Sequence, residues 1–212
     1  LLVELSESQA TQDLWESFLT NLVIGLAVII LTIVLISYTV NLFQSRLEEM
    51  ASTDKLTGLG NRQTFEIVIN QALSQFARSP TPFSLILIDV DKFKFINDTY
   101  GHLVGDHVLQ TMAALTREKT RQSDILCRWG GEEFLAVLPE CSADQARGFA
   151  ERIRRKVEVT VSHCGDTNVS VTVSLGVAQV GEGETANKLI KRTDKALFAA
   201  KEAGRNRVLV AE

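Results

Sequence analysis

The sequence has little sulfur and little imidazole. Its 212 residues include three cysteines and three histidines. Cys127, Cys141 and Cys164 stand in no C-x-x-C spacing, so neither a disulfide framework nor a zinc site is supported. Positive charge is missing from a whole segment: residues 1–45 carry Glu4, Glu7, Asp13 and Glu16 and neither lysine nor arginine. Those four acids account for the entire net charge of −4, which leaves residues 46–212 balanced. A balanced domain lacks the cationic excess that neutralises nucleic-acid phosphates, so no nucleic acid is expected as a partner. With 45% hydrophobic residues, the chain has material for one core of ordinary domain size.

Aspartate, glutamate, lysine, arginine and histidine are also absent from residues 22–43, LVIGLAVIILTIVLISYTVNLF. Roughly 20 helical residues cross the ~30 Å hydrocarbon layer, and a soluble domain seldom uses a helix apolar all round for this length. The stretch therefore predicts a transmembrane helix over 21–43. It has no basic flank before it and no small-residue cleavage site after it, which argues against a secretory signal. The first basic residues, Arg46, Lys55 and Arg62, follow the span, so the acidic start faces outward and the larger part inward. Residues 1–20 lack an initiator methionine and read as the end of a longer extracytoplasmic region. Phe43, Leu47, Met50 and Asp54 step by four, three and four. That short heptad seam predicts a junction helix over 44–53 that pairs two chains in parallel.

Residues 54–212 read as one domain. "DKLTGLGNR" is a turn-rich lead-in, followed by helical spacing of apolar residues over 63–78. FSLILIDV, 83–90, is a continuous apolar run that suits a strand covered on both faces. A helix over 103–121, a hairpin over 125–138 and a helix over 143–159 follow. A strand over 169–180, a helix over 185–203 closed by Gly204 and a last strand, NRVLV, complete the chain. The central order is βαββαβ, an α+β ferredoxin-like arrangement with helices on one face of an antiparallel sheet.

The hairpin holds "CRWGGEEFLAV", residues 127–137. Gly130 and Gly131 suit a type I′ turn, in which both central residues need positive φ. Two carboxylates at the foot of apolar strands need another explanation. In the expected sheet the end of "LILIDVD" approaches this turn, so Asp89, with Asp91 two residues on, would face Glu132 and Glu133. Carboxylates that close cannot all stay ionised without a cation. Oxygen-only ligands point to Mg²⁺ or Mn²⁺, and such an ion suggests phosphate chemistry. Lys92 and Lys94 follow Asp89, and Lys201 and Arg205 fall four apart near a helix end, where they could clamp a polyphosphate. Asp106 can accept from the paired N–H donors of a guanine edge, and the Asn97 amide can both donate and accept.

"RWGGEEF", with "DKLTGLGNR" upstream, "DVDKFKFINDTYGHLVGD" between them and "KEAGRNR" near the end, resembles the diguanylate cyclase family, named for its GGDEF or GGEEF signature. The resemblance covers residues 54–210 and implies a palm-type nucleotide cyclase domain. It implies a membrane-bound homodimer in which each domain brings one GTP, and two GTP condense into cyclic di-GMP with release of two pyrophosphates. On matching positions, Asp89, the Val90 carbonyl and Glu132 would bind the metal. Glu132 would also be the base for the 3′-hydroxyl, with Glu133 assisting and Lys94 stabilising transition-state charge. Asn97, His102 and Asp106 would hold the nucleotide and guanine, and Lys201 and Arg205 the phosphates. "RQSD", Arg121 to Asp124, ends five residues before the signature glycines; with Arg152 it matches the family's site for inhibition by its product. The implied location is the bacterial inner membrane, with the catalytic domain in the cytoplasm. Two other classes share this pattern: a silent GGEEF receptor for GTP or cyclic di-GMP, and a palm-type cyclase or polymerase acting on ATP or a growing strand. Silent domains typically lose the acids or lysines, and here the set is whole.

Overall fold

The computed structural model describes residue 15 and residues 18–40, 52–165 and 167–211. The chain divides into two compact units, Leu1–Met50 and Ala51–Glu212. In the first, helix α1 (Phe18–Val40) is long and apolar enough to cross a membrane. Its side chains are exposed, and two threonine hydroxyls return to its own backbone: Thr32 to the Val28 carbonyl at 2.7 Å and Thr39 to the Leu35 carbonyl at 2.6 Å. Hydrocarbon surroundings demand such internal pairing of polar groups. Most of the acidic start, the seam positions Phe43, Leu47 and Met50, and the junction helix up to residue 51 lie outside the described residues.

The second unit runs α2 (Arg62–Arg78), β1 (Ser84–Val90), α3 (Phe93–Tyr100), α4 (His102–Lys119), β2 (Ile125–Gly130), β3 (Glu133–Leu138), α5 (Ala143–Glu158), β4 (Val161–Cys164), β5 (Thr167–Ser170), β6 (Val173–Gln179), α6 (Ala186–Glu202), β7 (Val208–Val210). The main sheet has the order β2-β3-β1-β6-β7, and β4 pairs with β5 in a sheet of their own. Strand β1 lies between β3 and β6, antiparallel to both, and all seven of its residues are buried. Leaving out β7, this is the ferredoxin-like arrangement expected for βαββαβ. Strand β7 extends it, parallel to β6.

Helices cover both faces rather than one. Ile86, Ile88 and Val90 of β1 face the core built with α4 and α5, whereas Leu85 and Leu87 face a second core with α2 and α6. The one-face expectation held for the βαββαβ unit; α2 and α6 lie outside it and shield the strip of aliphatic side chains that alternation sends the other way.

Two further departures have local causes. Helix α3 went unforeseen because it is eight residues long, starts from Lys92 in the left-handed region (φ 57°) and buries only Phe93 and Ile96. The expected strand over 169–180 is two strands broken at residues 171–172. Alternating valines mask that break; there the Thr172 carbonyl accepts from Asp91 N–H at 2.9 Å.

The lead-in loop packs along β2. Thr53 bridges to Gly60, so residues 52–53, expected at the end of the junction helix, belong to this loop. Gly60 donates to the Leu126 carbonyl at 3.0 Å and accepts from Arg128 N–H at 2.8 Å. Helix α2 then starts from Asn61, whose side chain accepts from Thr64 N–H at 3.0 Å.

Candidate active site

The register of β1 against β3 sets Asp89 directly opposite Glu133, so both side chains leave the same face of the sheet. The turn between β2 and β3 is not the expected type I′. Trp129 forms a bulge, Gly130 pairs with Glu133, and the chain reverses over Gly131 and Glu132. Of the two glycines only Gly131 has positive φ, 48°. The extra residue shifts the reversal one position along, which lifts Glu132 onto the turn and leaves Glu133 in the strand. Trp129 stays anchored, edge-on to Phe65 at 5.3 Å with the Arg62 guanidinium 4.3 Å above its ring.

Arg128 fixes that turn. Its Nε and Nη2 donate to the Gly131 carbonyl at 3.0 and 2.8 Å, while Nη1 reaches both oxygens of Asp54 at 3.2 Å. Asp54 also accepts from the Thr57 amide at 2.8 Å and hydroxyl at 2.6 Å. Burial alone would raise its carboxyl, but the Thr57 bonds and Arg128 outweigh it and hold Asp54 below the usual range. A charged donor on a carbonyl, worth roughly 1.5–3 kcal/mol, thus ties the lead-in loop to the residue before Glu132. Sequence reasoning missed this role. The signal lay in the arginine of "RWGG" and the aspartate of "DKLTG", whose meeting needs the fold.

The acids are short of compensating charge. Asp89 Oδ2 pairs with Lys201 Nζ at 2.7 Å, yet burial pushes Asp89 up, and Glu132 and Asp91 add to the rise against Lys201. Burial also raises Glu133, followed by the charge of Asp89, with Lys201 opposing and Glu132 and Asp194 adding. Asp91 does not join them: its carboxylate is taken by Ser174, Thr172 and the Asn206 amide. The expected meeting of four acids is therefore reduced to Asp89, Glu132 and Glu133, because β1 ends at Val90 and Asp91 leaves its alternation. Among the described residues no group of three or more His, Cys, Asp or Glu side chains is arranged to hold a metal ion. The donor types of Asp89, Glu132 and the Val90 carbonyl still fit Mg²⁺ or Mn²⁺, hard ions that take few protein oxygens and keep waters.

A stability prediction follows from the raised acids. A carboxyl held above its unfolded value binds its proton more tightly in the folded state, so its contribution to stability falls as pH rises through that interval. Glu133→Gln is expected to melt at or above the parent at pH ~7, with the difference shrinking as pH approaches the ordinary glutamate value of about 4.3. Thermal melts across pH check this; a deficit that grows with pH refutes it.

The nucleotide candidates occupy α3 and α4. Lys94 and Asn97 lie on α3, exposed and half-buried, and His102 and Asp106 are one turn apart on α4, both exposed. Gly105 explains their closeness: a Cβ there would collide with Asn97 Oδ1, so glycine lets the Asn97 amide lie against the residue preceding Asp106. The expected shared helical face of Lys201 and Arg205 is absent. Helix α6 ends at Glu202, and Arg205 stands in a turn with φ 63°. Lys201 faces Asp89, whereas Arg205 lines a cavity of about 490 Å³ with Lys92, Phe95 and Tyr100.

A second cluster surrounds Cys141. Arg121 N–H donates to Asp124 Oδ2 at 2.7 Å and Asp124 N–H returns to the Arg121 carbonyl at 3.1 Å, closing the RQSD turn. Burial raises the Cys141 thiol most; the charge of Asp124 adds to the rise, and those of Arg121 and Arg152, on α5, oppose it. Arg152 also lies 5.6 Å over the Phe149 ring.

Residues 51–207 match the family described as diguanylate cyclase, GGDEF domain. The chain belongs to this family. Among GGDEF relatives, it is 42% identical over 165 residues to the response regulator PleD of Caulobacter vibrioides, covering 76% of this chain and 36% of that protein. It is 43% identical over 169 residues to the diguanylate cyclase DgcM of Escherichia coli K12, covering 79% of this chain and 40% of that one. The chain thus spans well under half the length of these relatives. The GGDEF domain of DgcB from Caulobacter crescentus, solved in complex with c-di-GMP, superposes with a TM-score of 0.74 at 35% identity, covering 76% of this chain and 93% of that domain.

Proposed function

We propose that this chain is a diguanylate cyclase, anchored in the bacterial inner membrane by α1, whose cytoplasmic domains work as a homodimer under control of a signal. The observation that carries the reading is the meeting of Asp89, Glu132 and Glu133 at one sheet end, with Lys201 paired to Asp89. Relatives named diguanylate cyclases support it, and the basic residues that follow α1 support the orientation.

Asp89, Glu132 and the Val90 carbonyl would hold Mg²⁺ or Mn²⁺, which when bound lowers the pKa of the attacking hydroxyl and neutralises the α-phosphate. Glu132 takes the proton of the 3′-hydroxyl, with Glu133 beside it. The 3′-oxygen bonds to the α-phosphorus of the other GTP, the bond from that phosphorus to the bridging oxygen breaks, and pyrophosphate leaves. A second such step closes the ring of cyclic di-GMP. Lys94, Lys201 and Arg205 offset negative charge on the phosphates, and Asn97, His102 and Asp106 orient the nucleotide and its guanine. One domain holds one nucleotide, so the attacking oxygen comes from the partner protomer. Alignment of the protomers then controls a positional advantage of several kcal/mol, roughly 7–11 at best.

The test incubates the full chain in detergent with GTP and Mg²⁺ and looks for cyclic di-GMP, with Glu132→Ala as control. Binding of GTP without product in a dimeric sample would replace the enzyme by a receptor; product from ATP would broaden it to another cyclase. Product is also the expected inhibitor, held by Arg121, Asp124 and Arg152, since arginines fork onto phosphates and stack on guanine. Arg121→Ala is expected to keep its initial rate while progress curves stay linear where the parent slows. Equal slowing in both would remove the inhibitory site.

A further inference from the structure

One buried acid has no part in the reaction just described, and we propose that Asp91 is a positioning residue that locks the turn carrying Arg205 against the end of β1. The inference rests on the proposed function and deepens it. Asp91 is 6% exposed. Its Oδ1 accepts from Ser174 Oγ at 2.7 Å, and its Oδ2 accepts from Thr172 Oγ1 at 2.8 Å and from the backbone N–H of Asn206 at 3.1 Å. Its own N–H donates to the Thr172 carbonyl at 2.9 Å. One residue past β1 is thereby bonded to β6, to the segment before β6 and to the turn after α6.

The turn needs such a restraint. Arg205 and Asn206 both sit in the left-handed region, at φ 63° and 47°. Asparagine tolerates that conformation, arginine does so poorly, and two in succession persist only where the surroundings impose them. Asn206 is also held from the other side: its Oδ1 accepts from Arg154 at 2.8 Å and its Nδ2 donates to Glu158 at 2.7 Å, both on α5. Asp89 and Asp91 divide the work. Asp89 engages Lys201 at the last turn of α6, and Asp91 engages Asn206 beyond Arg205. Arg205 is bracketed between two points fixed to the strand end that carries the reaction.

The bonding pattern separates positioning from a need for charge. In Asp91→Asn, the amide oxygen can accept from Thr172 and Asn206 while the NH₂ donates to the Ser174 hydroxyl, so every bond has a counterpart. Asp91→Ala removes them all. On the full chain in detergent, GTP binding is measured by equilibrium dialysis and turnover by steady-state kinetics. Asp91→Ala is expected to weaken GTP binding and raise KM by roughly tenfold, and Asp91→Asn to remain within about threefold of the parent. In an Arg205→Ala background, Asp91→Ala should add little, because the residue it positions is gone. Should Asp91→Ala fail to fold, Asp91→Ser keeps a polar stub too short to reach Asn206 and is expected to behave as the alanine was.

Asp91→Asn as impaired as the truncated variants, or full additivity with Arg205→Ala, overturns the proposal. A parent that binds GTP without making cyclic di-GMP ends the enzyme reading while dialysis still decides the role of Asp91. A parent that binds no GTP overturns both.

Discussion

Glu132→Gln is expected to cut cyclic di-GMP formation by roughly 10²–10⁴-fold while the protein remains folded. The substitution keeps length and shape on the turn after Gly131. It removes both the base for the 3′-hydroxyl and one of the oxygens suited to a divalent ion. Glu132 also raises Asp89 through repulsion, so the variant relieves part of that strain. A large loss of kcat with an unchanged or slightly higher melting temperature is the expected pair of results. A second signature concerns metal. Mg²⁺ should stabilise the parent against heating by binding the folded state and stabilise Glu132→Gln much less. Retention of more than a tenth of parental turnover would remove Glu132 from the chemistry.

The second large effect concerns the base. The Asp106 carboxylate offers two acceptors to the paired N–H donors of guanine, whereas an asparagine amide offers one acceptor and one donor. Asp106→Asn would set its NH₂ against a guanine donor, and the same amide matches the donor and acceptor of an adenine edge. The kcat/KM for GTP is expected to fall roughly a hundredfold, with preference over ATP collapsing by at least that factor. Asp106 is solvent-exposed on α4, so this loss should come without a change in melting temperature. Kinetics with both nucleotides decide the matter; unchanged discrimination would move guanine recognition elsewhere.

How far such residues could be read from sequence depended on whether their neighbours are local. The run FSLILIDV over 83–90 announced a strand covered on both faces, as β1 is, and helical spacing announced α2, α4, α5 and α6. The approach of Asp89 to the GGEE turn followed from strand order alone. The bulge at Trp129 was hidden because Gly-Gly already satisfies a simpler turn. Lys201 and Arg205 seemed one helical step apart on spacing, but Gly204, at φ 109°, ends the helix between them. The partnership of Arg128 with Asp54 spans the lead-in loop and the hairpin, and that of Asp91 with Asn206 joins opposite ends of the domain. No periodicity connects such positions; each is a product of sheet order and of two helices covering the face that the ferredoxin-like unit leaves bare.

The loop bonded along β2 carries a last consequence. Strand β2 is the outermost strand on its side of the sheet, and a bare strand edge invites other chains to add to it. Gly60 occupies amide and carbonyl positions on that margin, so the segment preceding α2 acts as a shield against aggregation. A protein trimmed to begin at Asn61 would keep every residue of the reaction centre and yet tend to precipitate.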